Sequence, residues 1–224
     1  GLTAAEIAER LGEEGLAEPG EFLGAVRSQE LVNELDVEGG SLEGYLFPET
    51  YQLARGLPAA EIARAMVAQF HAVWPEIAPG SEDLGLSMLE TVTLASIIEK
   101  ETGAPEERAL IAAVFHNRLQ RGMRLASDPT VIYGIPQFDG NLRRSDLEDA
   151  ANPYNTYQIP GLPPGPIANP GADDLRAAVA PATSSYLFFG SRHDGTHEFS
   201  NNYAEHAAAV DRYQKKRRRR TSPP

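Results

Sequence analysis

Hydrophobic residues recur three or four positions apart in several stretches of the chain, which is the spacing of a helix with one buried side. Between Pro58 and Trp74, four of them fall on one side of such a helix: Ile62, Met66, Phe70 and Val73. A shorter helix is predicted over 4–11, because Thr3 and Glu6 have the spacing of an N-terminal capping box. The first part of the chain is therefore predicted to be mainly helical.

The best-defined helix is predicted from Ser87 to about Thr102. Ser87 and Glu90 form a second capping box at its start, and Gly103 and Pro105 are suited to end it. A further helix is predicted to follow, up to Gly122. It has acidic residues in its first turn and arginines in its last, as the helix dipole favours.

The rest of the chain mixes loops with short elements. Residues 42–53 are rich in aromatic side chains and contain Gly44 and Pro48, which favours a strand and a turn. Residues 152–171 hold six prolines, which exclude a regular helix and indicate an ordered, functional loop. Beyond this loop the pattern predicts a helix over 172–179, strands over 185–189 and 196–200, and a last helix over 202–213. The predicted fold class is therefore α+β, with helices and a few antiparallel strands.

Composition narrows the class of protein. The chain has 224 residues, of which 42% are hydrophobic and 23% charged, an ordinary globular balance. It has no cysteine, which excludes a disulfide scaffold, a thiol nucleophile and a cysteine-ligated metal. The net charge is −12 despite a basic run at 215–220, so the acidic body would repel nucleic acid. The basic run is interpreted as a disordered tail over 214–224.

One carboxylate has an unusual position. On the helix predicted from Ser87, Glu99 falls on the same stripe as Met88, Val92 and Ala95 and is the only charge there. Apolar surroundings would raise the pKa of this carboxyl, as a general acid at neutral pH requires. The alternative is that Glu99 ends the helix in solvent or forms an ion pair with Lys100 or Arg118.

The other chemistry-bearing residues give weaker signals. His193 and His197 have the spacing of a helical metal pair, but Asp194 and Gly195 between them predict a turn. The sequence has neither a nucleophile elbow nor a glycine-rich phosphate loop. We therefore expect no metal and no cofactor.

Five stretches, in order along the chain, together resemble the MltG (YceG-like) family of endolytic murein transglycosylases. They are EGYLFPETY (43–51), LASIIEKET (94–102), VFHNRLQRGMRLASDPTVIYG (114–134), NPYNTYQIPGLPPGPIANPG (152–171) and YLFFGSRHDGTHEFSNNYAEH (186–206). The resemblance covers about residues 43–213 and is far more specific than any single motif.

The resemblance implies a lyase that cuts peptidoglycan strands internally, at the β-1,4 bond between MurNAc and GlcNAc, and leaves a 1,6-anhydro-MurNAc end. It implies that the catalytic glutamate of the A-S-I-x-E-K-E-T motif corresponds to Glu99. Such an enzyme terminates or trims nascent strands.

The resemblance also implies an organisation. Residues 1–42 would be a remnant of a LysM-like subdomain with its connecting segment, and residues 43–213 the catalytic domain. The chain begins at Gly1 and is interpreted as a piece of a longer protein. A membrane anchor outside this piece would hold the catalytic domain on the outer side of the cytoplasmic membrane, with cell-wall synthases as partners.

Nine further residues are predicted to line the glycan groove, although each could instead hold the fold. They are Asn117, Asp128, Thr130, Tyr133, Asn155, Thr156, Tyr157, His197 and Glu198. Two other functions stay open from the residues alone. One is a hydrolytic muramidase, which needs a second carboxylate beside Glu99, with Asp128 or Glu49 as candidates. The other is a non-catalytic module that binds or organises peptidoglycan.

Overall fold

The computed structural model describes residues 1–221 as a helical protein with one small sheet. Its helices in chain order are α1 (Ala4–Glu13), α2 (Pro19–Val26), α3 (Gln29–Glu34), α4 (Ala59–Asp83), α5 (Met88–Glu101), α6 (Arg108–Gln120), α7 (Asp128–Tyr133), α8 (Arg144–Glu148), α9 (Ala172–Val179) and α10 (Tyr203–Thr221). A single 3₁₀ turn, Pro105–Glu107, precedes α6. Strands β1 (Phe188–Ser191) and β2 (His197–Ser200) pair antiparallel, with Phe189 opposite Phe199. The predicted α+β class is confirmed.

Both predicted capping boxes are present. The Thr3 hydroxyl accepts a hydrogen bond from the Glu6 N–H at the start of α1, and the Ser87 hydroxyl accepts one from the Glu90 N–H at the start of α5. In each case the glutamate side chain returns a bond to the backbone N–H of the capping residue. These local signals fix where the two helices begin.

Helix α5 forms the centre of the core. Its residues from 91 to 98 are all buried, on every side of the helix, so α5 has no single apolar stripe. It packs against α9, α6, α7 and α4. Buried residues of α1 and α2 belong to the same hydrophobic cluster as those of α4 and α5. At both ends α5 leaves this core, and its last turn carries Glu99 and Glu101.

The strand predicted within 42–53 is wrong. The segment forms turns, and its aromatic side chains Tyr45 and Phe47 are buried. The N–H groups of Gly44 and Leu46 both donate to the Asn169 side-chain oxygen, at 2.7 and 2.9 Å. A distant side chain therefore satisfies backbone groups that a strand would pair with a neighbouring strand.

Two helices are longer than predicted. Helix α4 continues through Pro75 and Pro79, and its last turns bury Ile77. Helix α10 continues to Thr221, into the stretch predicted as a basic tail, in keeping with the good helix propensity of lysine and arginine. Residues 222–224 of that tail lie outside the described residues. No helix over the described residues is long and apolar enough to cross a membrane.

Candidate active site

The last turn of α5 carries two carboxylates, Glu99 and Glu101, which face different surroundings. Residues two apart on a helix point in directions about 200° apart, so a single turn can place one against the core and the other in a cavity. The surroundings of each decide what each can do chemically.

Glu99 is held on the side that faces α9. Its Oε2 accepts a hydrogen bond from the Gly171 N–H at 3.2 Å, and its Oε1 lies 3.0 Å from the Gly1 amino group. Its side chain is 24% exposed. Burial alone would raise the pKa of Glu99, but hydrogen bonds with Asp174 and with the Gly171 N–H act against burial, and the pKa lies below the usual range. The raised pKa expected for Glu99 from its helical position is therefore wrong.

Asp174, in the first turn of α9, is the partner that holds the proton. Its side chain is 3% exposed, and its Oδ1 accepts a hydrogen bond from Arg108 Nε at 2.7 Å. Burial and the neighbouring Glu99 carboxylate raise the pKa of Asp174, against the opposing effect of Arg108. The two carboxyls thus share one proton, which keeps Glu99 ionised and ties α5 to α9.

Glu101, the last residue of α5, lines a cavity of about 430 Å³. Its Oε1 accepts a hydrogen bond from the Ser127 hydroxyl at 2.6 Å, and none of the described residues hydrogen bonds to its Oε2. Burial raises the pKa of Glu101, and the charge of Asp128 acts in the same direction. Ser127, His197 and Arg118 oppose this shift but do not reverse it. Glu101 therefore has the raised pKa that its position on the helix led us to predict for Glu99.

Three of the nine residues predicted to line a groove meet Glu101 at this cavity: Asp128, Tyr157 and His197. The Tyr157 hydroxyl donates to Asp128 Oδ1 at 2.6 Å. Burial and this bond raise the pKa of Tyr157, so the phenol stays protonated and remains a donor. His197 Nδ1 lies 2.8 Å from Glu107 Oε2, which fixes the orientation of the imidazole ring.

Two more of the predicted residues, Thr130 and Thr156, are buried behind the cavity wall. Their hydroxyls lie 2.8 Å apart, and the Thr156 hydroxyl accepts the Ser127 N–H at 3.0 Å. The preceding residue, Ala126, has a φ of 50°, a left-handed conformation that is unfavourable for alanine. The threonine pair and this strained residue hold Ser127 toward Glu101.

The other four predicted residues do not line this cavity, and their polar groups bond to other parts of the structure. The Asn117 amide donates to the carbonyls of Ser184 and Tyr186, both at 2.9 Å. The amide of Asn155 donates to three carbonyls at the end of α8, at 2.8 to 3.2 Å. The Tyr133 hydroxyl donates to Glu43, and Glu198 forms an ion pair with Arg192. Glu198 follows His197 on a strand, where consecutive side chains point to opposite faces.

Sequence reasoning missed Arg118 as a wall of the cavity. Its Nε donates to the Leu187 carbonyl at 2.6 Å and its Nη1 to the Leu125 carbonyl at 2.7 Å. The guanidinium carbon lies 4.9 Å from the centre of the Phe188 ring. Burial lowers the pKa of Arg118, but a guanidinium stays charged at neutral pH. The cavity thus combines a fixed cation, aromatic faces and a carboxyl with a raised pKa.

No cluster of three or more metal-ligating side chains occurs among residues 1–221. His193 and His197 do not share a helix, since His197 lies on β2 and His193 in the turn before it. The turn expected between the two histidines is confirmed.

Comparisons with known proteins agree with this architecture. The family model described as the YceG-like family matches residues 1–212. A Bacillus subtilis protein named endolytic murein transglycosylase is 38% identical over 173 residues, which cover 77% of this chain and 48% of the relative. A Streptococcus pneumoniae protein of the same name is 33% identical over 172 residues, covering 74% of this chain and 31% of the relative. The chain thus spans about half the length, or less, of these relatives.

A crystal structure of a putative yceG-like protein from Listeria monocytogenes has the same fold. It matches with a TM-score of 0.82 and 32% sequence identity, over 92% of this chain and 72% of that chain. The likeness therefore extends over most of this chain.

Proposed function

The chain belongs to the YceG-like family, and on that premise we propose that it is a peptidoglycan lytic transglycosylase in which Glu101 is the catalytic acid and base. The relatives' printed name supports the reaction class, an internal cut in murein. The observation that carries the assignment of the acid is the Glu101 carboxyl, which has a raised pKa and lines the cavity with Asp128, Tyr157 and His197. We propose Glu101 in place of Glu99, because Glu99 is ionised and held by Asp174 and Gly171.

In this reaction, one oxygen of the Glu101 carboxyl must carry a proton that it can donate. The Ser127 hydroxyl donates to Oε1, which leaves Oε2 to carry the transferable proton. Glu101 donates this proton to the glycosidic oxygen as the bond from that oxygen to C1 of MurNAc breaks. The C6 hydroxyl of the same sugar then attacks C1, and the Glu101 carboxylate takes the hydroxyl proton. The nucleophile is part of the substrate, so the attack is intramolecular and needs no bound water.

The other cavity residues would support these steps. A positive charge beside the carboxyl favours its ionised form, so Arg118 stabilises the Glu101 carboxylate formed after proton transfer. The aromatic rings of Phe188 and Tyr157 offer flat faces to sugar rings. His197 is oriented by Glu107 and can form a hydrogen bond to a sugar hydroxyl.

One observation favours a second candidate, a hydrolytic muramidase. Asp128 lines the same cavity as Glu101, and its charge acts on the Glu101 pKa. A hydrolase uses two carboxyls, one as acid and one as base or nucleophile. Asp128 accepts a hydrogen bond from the Tyr157 hydroxyl, which orients its carboxyl in the cavity.

Digestion in ¹⁸O-labelled water separates the two reactions. Purified glycan strands are cut by the wild-type protein and by the Glu101→Gln and Glu99→Gln variants, and the products are weighed. A transglycosylase gives anhydro ends that contain no solvent oxygen and are lighter than reducing ends by one water. Label at C1 of MurNAc would show hydrolysis and make Asp128 the next residue to replace. Binding without cleavage by the wild type would instead support a non-catalytic module.

The proposal extends to the whole protein. A membrane anchor outside this chain would place the domain on the outer side of the cytoplasmic membrane. There it would terminate or trim nascent strands beside cell-wall synthases, and residues 1–42 would derive from a LysM-like segment. Protease added outside intact cells should cut the full-length protein. Protection from that protease would contradict this location.

A further inference from the structure

A second and larger cavity, of about 900 Å³, adjoins the proposed catalytic cavity. Consecutive residues line the two spaces. Lys100 lines the larger cavity and Glu101 the smaller, at the end of α5. At the start of α7, Pro129 lines the larger cavity and Asp128 the smaller. The two cavities therefore lie on either side of these two helix ends.

The larger cavity has apolar walls and an ionic rim. Its walls include Leu23 and Val26 from α2, Ile132 from α7, and Phe138 from the following loop. Its rim carries charges of both signs, on Glu6, Glu9, Arg27 and Lys100. Within the described residues, the side chains of Arg27 and Glu9 form no hydrogen bond or ion pair, so both charges are available to a ligand.

A buried carboxyl, Glu43, also lines this cavity. Its side chain accepts hydrogen bonds from the Ala4 N–H at 2.9 Å, the Asn169 amide at 2.7 Å and the Tyr133 hydroxyl at 3.2 Å. Glu43 is 7% exposed, so these bonds hold it in place. They join α1, α7 and the loop that contains Asn169, and they keep the cavity formed in the absence of a ligand.

We infer that this second cavity binds the peptide that branches from the glycan strand, so that the protein acts on peptide-bearing strands in preference to bare ones. The inference rests on the proposed function, since only a peptidoglycan substrate carries such a branch beside the cut. These peptides contain carboxylates and, in a diamino residue, an amino group. Arg27 and Lys100 are suited to the carboxylates, and Glu6 and Glu9 to the amine. The apolar walls are suited to the alkyl parts of the peptide.

Binding is tested in the Glu101→Gln protein, so that strands are not cut during the measurement. Calorimetry compares short strands that retain their peptides with the same strands stripped by an amidase. We expect peptide-bearing strands to bind more tightly. Arg27→Ala should weaken binding of those strands by roughly fivefold and leave stripped strands unaffected. Arg55→Ala, at an exposed arginine outside both cavities, is the matched control and should change neither.

A second variant tests the acidic part of the rim. Glu9→Gln should weaken binding of peptide-bearing strands but not of strands whose free amines have been acetylated. Equal losses on peptide-bearing and stripped strands in Arg27→Ala would mean that the cavity binds sugar, and no loss on either would mean that it binds no part of the strand. Both results overturn the inference. Failure of the proposed function is seen separately, as strands that the wild-type protein leaves uncut.

Discussion

The two sides of the last turn of α5 hold carboxylates under opposite conditions. On one side Glu99 is enclosed by Gly171 and Asp174, and these partners keep it ionised. On the other side Glu101 has, among the described residues, one hydrogen-bond partner, Ser127, and it lines an open cavity. Burial alone therefore does not make a glutamate an acid catalyst. A catalytic carboxyl also needs an atom without a partner and a cavity that admits the substrate.

The largest expected effect is on catalysis, through Glu101. Glu101→Gln preserves shape but removes the transferable proton, so we expect the turnover number to fall at least ~10²-fold. Release of anhydro ends from purified strands measures it. Glu99→Gln is the matched control, two residues away, and should retain activity within about threefold. A reversed order, with Glu99→Gln inactive and Glu101→Gln active, would restore Glu99 as the catalytic residue.

The next effect is on the stability of the protein, through Asp174 beside Glu99. Asp174→Ala removes the partner of both Glu99 and Arg108 and should lower the free energy of unfolding by about 2 kcal/mol. Asp174→Asn keeps a donor toward Glu99 and an acceptor toward Arg108, so it should cost less than about 0.5 kcal/mol at neutral pH. Urea unfolding measures both. If asparagine proves as costly as alanine, Asp174 does not hold the shared proton.

A third carboxyl, Glu43, can be compared with Glu99 and Glu101, because it is also buried but has no proposed role as an acid. Burial raises its pKa to about 7, against hydrogen bonds that lower it. The folded state therefore holds this proton more tightly than the unfolded state. The stabilisation is fully present below the unfolded pKa of about 4.5 and is lost as the pH rises through about 7.

This shift predicts a pH-dependent stability. Between about pH 5 and pH 8, the wild-type protein should lose on the order of 2 kcal/mol of unfolding free energy relative to Glu43→Gln, whose amide does not titrate. Urea unfolding of both proteins across this range gives the difference. A constant difference between them would show that Glu43 titrates normally.

The smallest expected effect is at Ser127, which donates a hydrogen bond to Glu101. Ser127→Ala removes a hydrogen bond that favours the carboxylate, so the pKa of Glu101 should rise further. The acid form then persists to higher pH, and the alkaline limb of the turnover profile should move upward, with roughly a tenfold loss in maximal rate. Ser185→Ala, at an exposed serine bound to Asn201, is the control. An unmoved profile would mean that Ser127 does not tune Glu101.

The sequence predicts the helices well where the signals are local. The capping boxes of α1 and α5 depend on residues three apart, so both helix starts can be read directly from the sequence. The conformation of 42–53 could not be predicted in this way, because its N–H groups bond to Asn169, more than 120 residues away. Helix α4 likewise continues past Pro75, where local rules predict an end.

The site was predictable in part. Asp128, Tyr157 and His197 lie in segments that resemble the family, and they do line one cavity. Periodicity favours Glu99 because it treats α5 as a helix with a single apolar stripe, and the family resemblance is matched to the same residue, whereas α5 is buried on all sides from 91 to 98. The feature of the sequence that points to Glu101 is its position at the end of α5. A carboxylate on the last residue of α5, two positions before Gly103, can leave the core, and sequence periodicity ranks burial above access.

The bonds of Asn169 bear on the order in which the chain acquires its structure. Its side chain is bonded to Gly44, Leu46, Leu2 and Glu43, so one amide closes loops of 123 to 167 residues. A ribosome releases the amino-terminal segment long before it releases residue 169. Until then the N–H groups of Gly44 and Leu46 lack their native partner, and contacts of such long range form slowly. Assembly of this part of the molecule therefore awaits synthesis of the proline-rich loop.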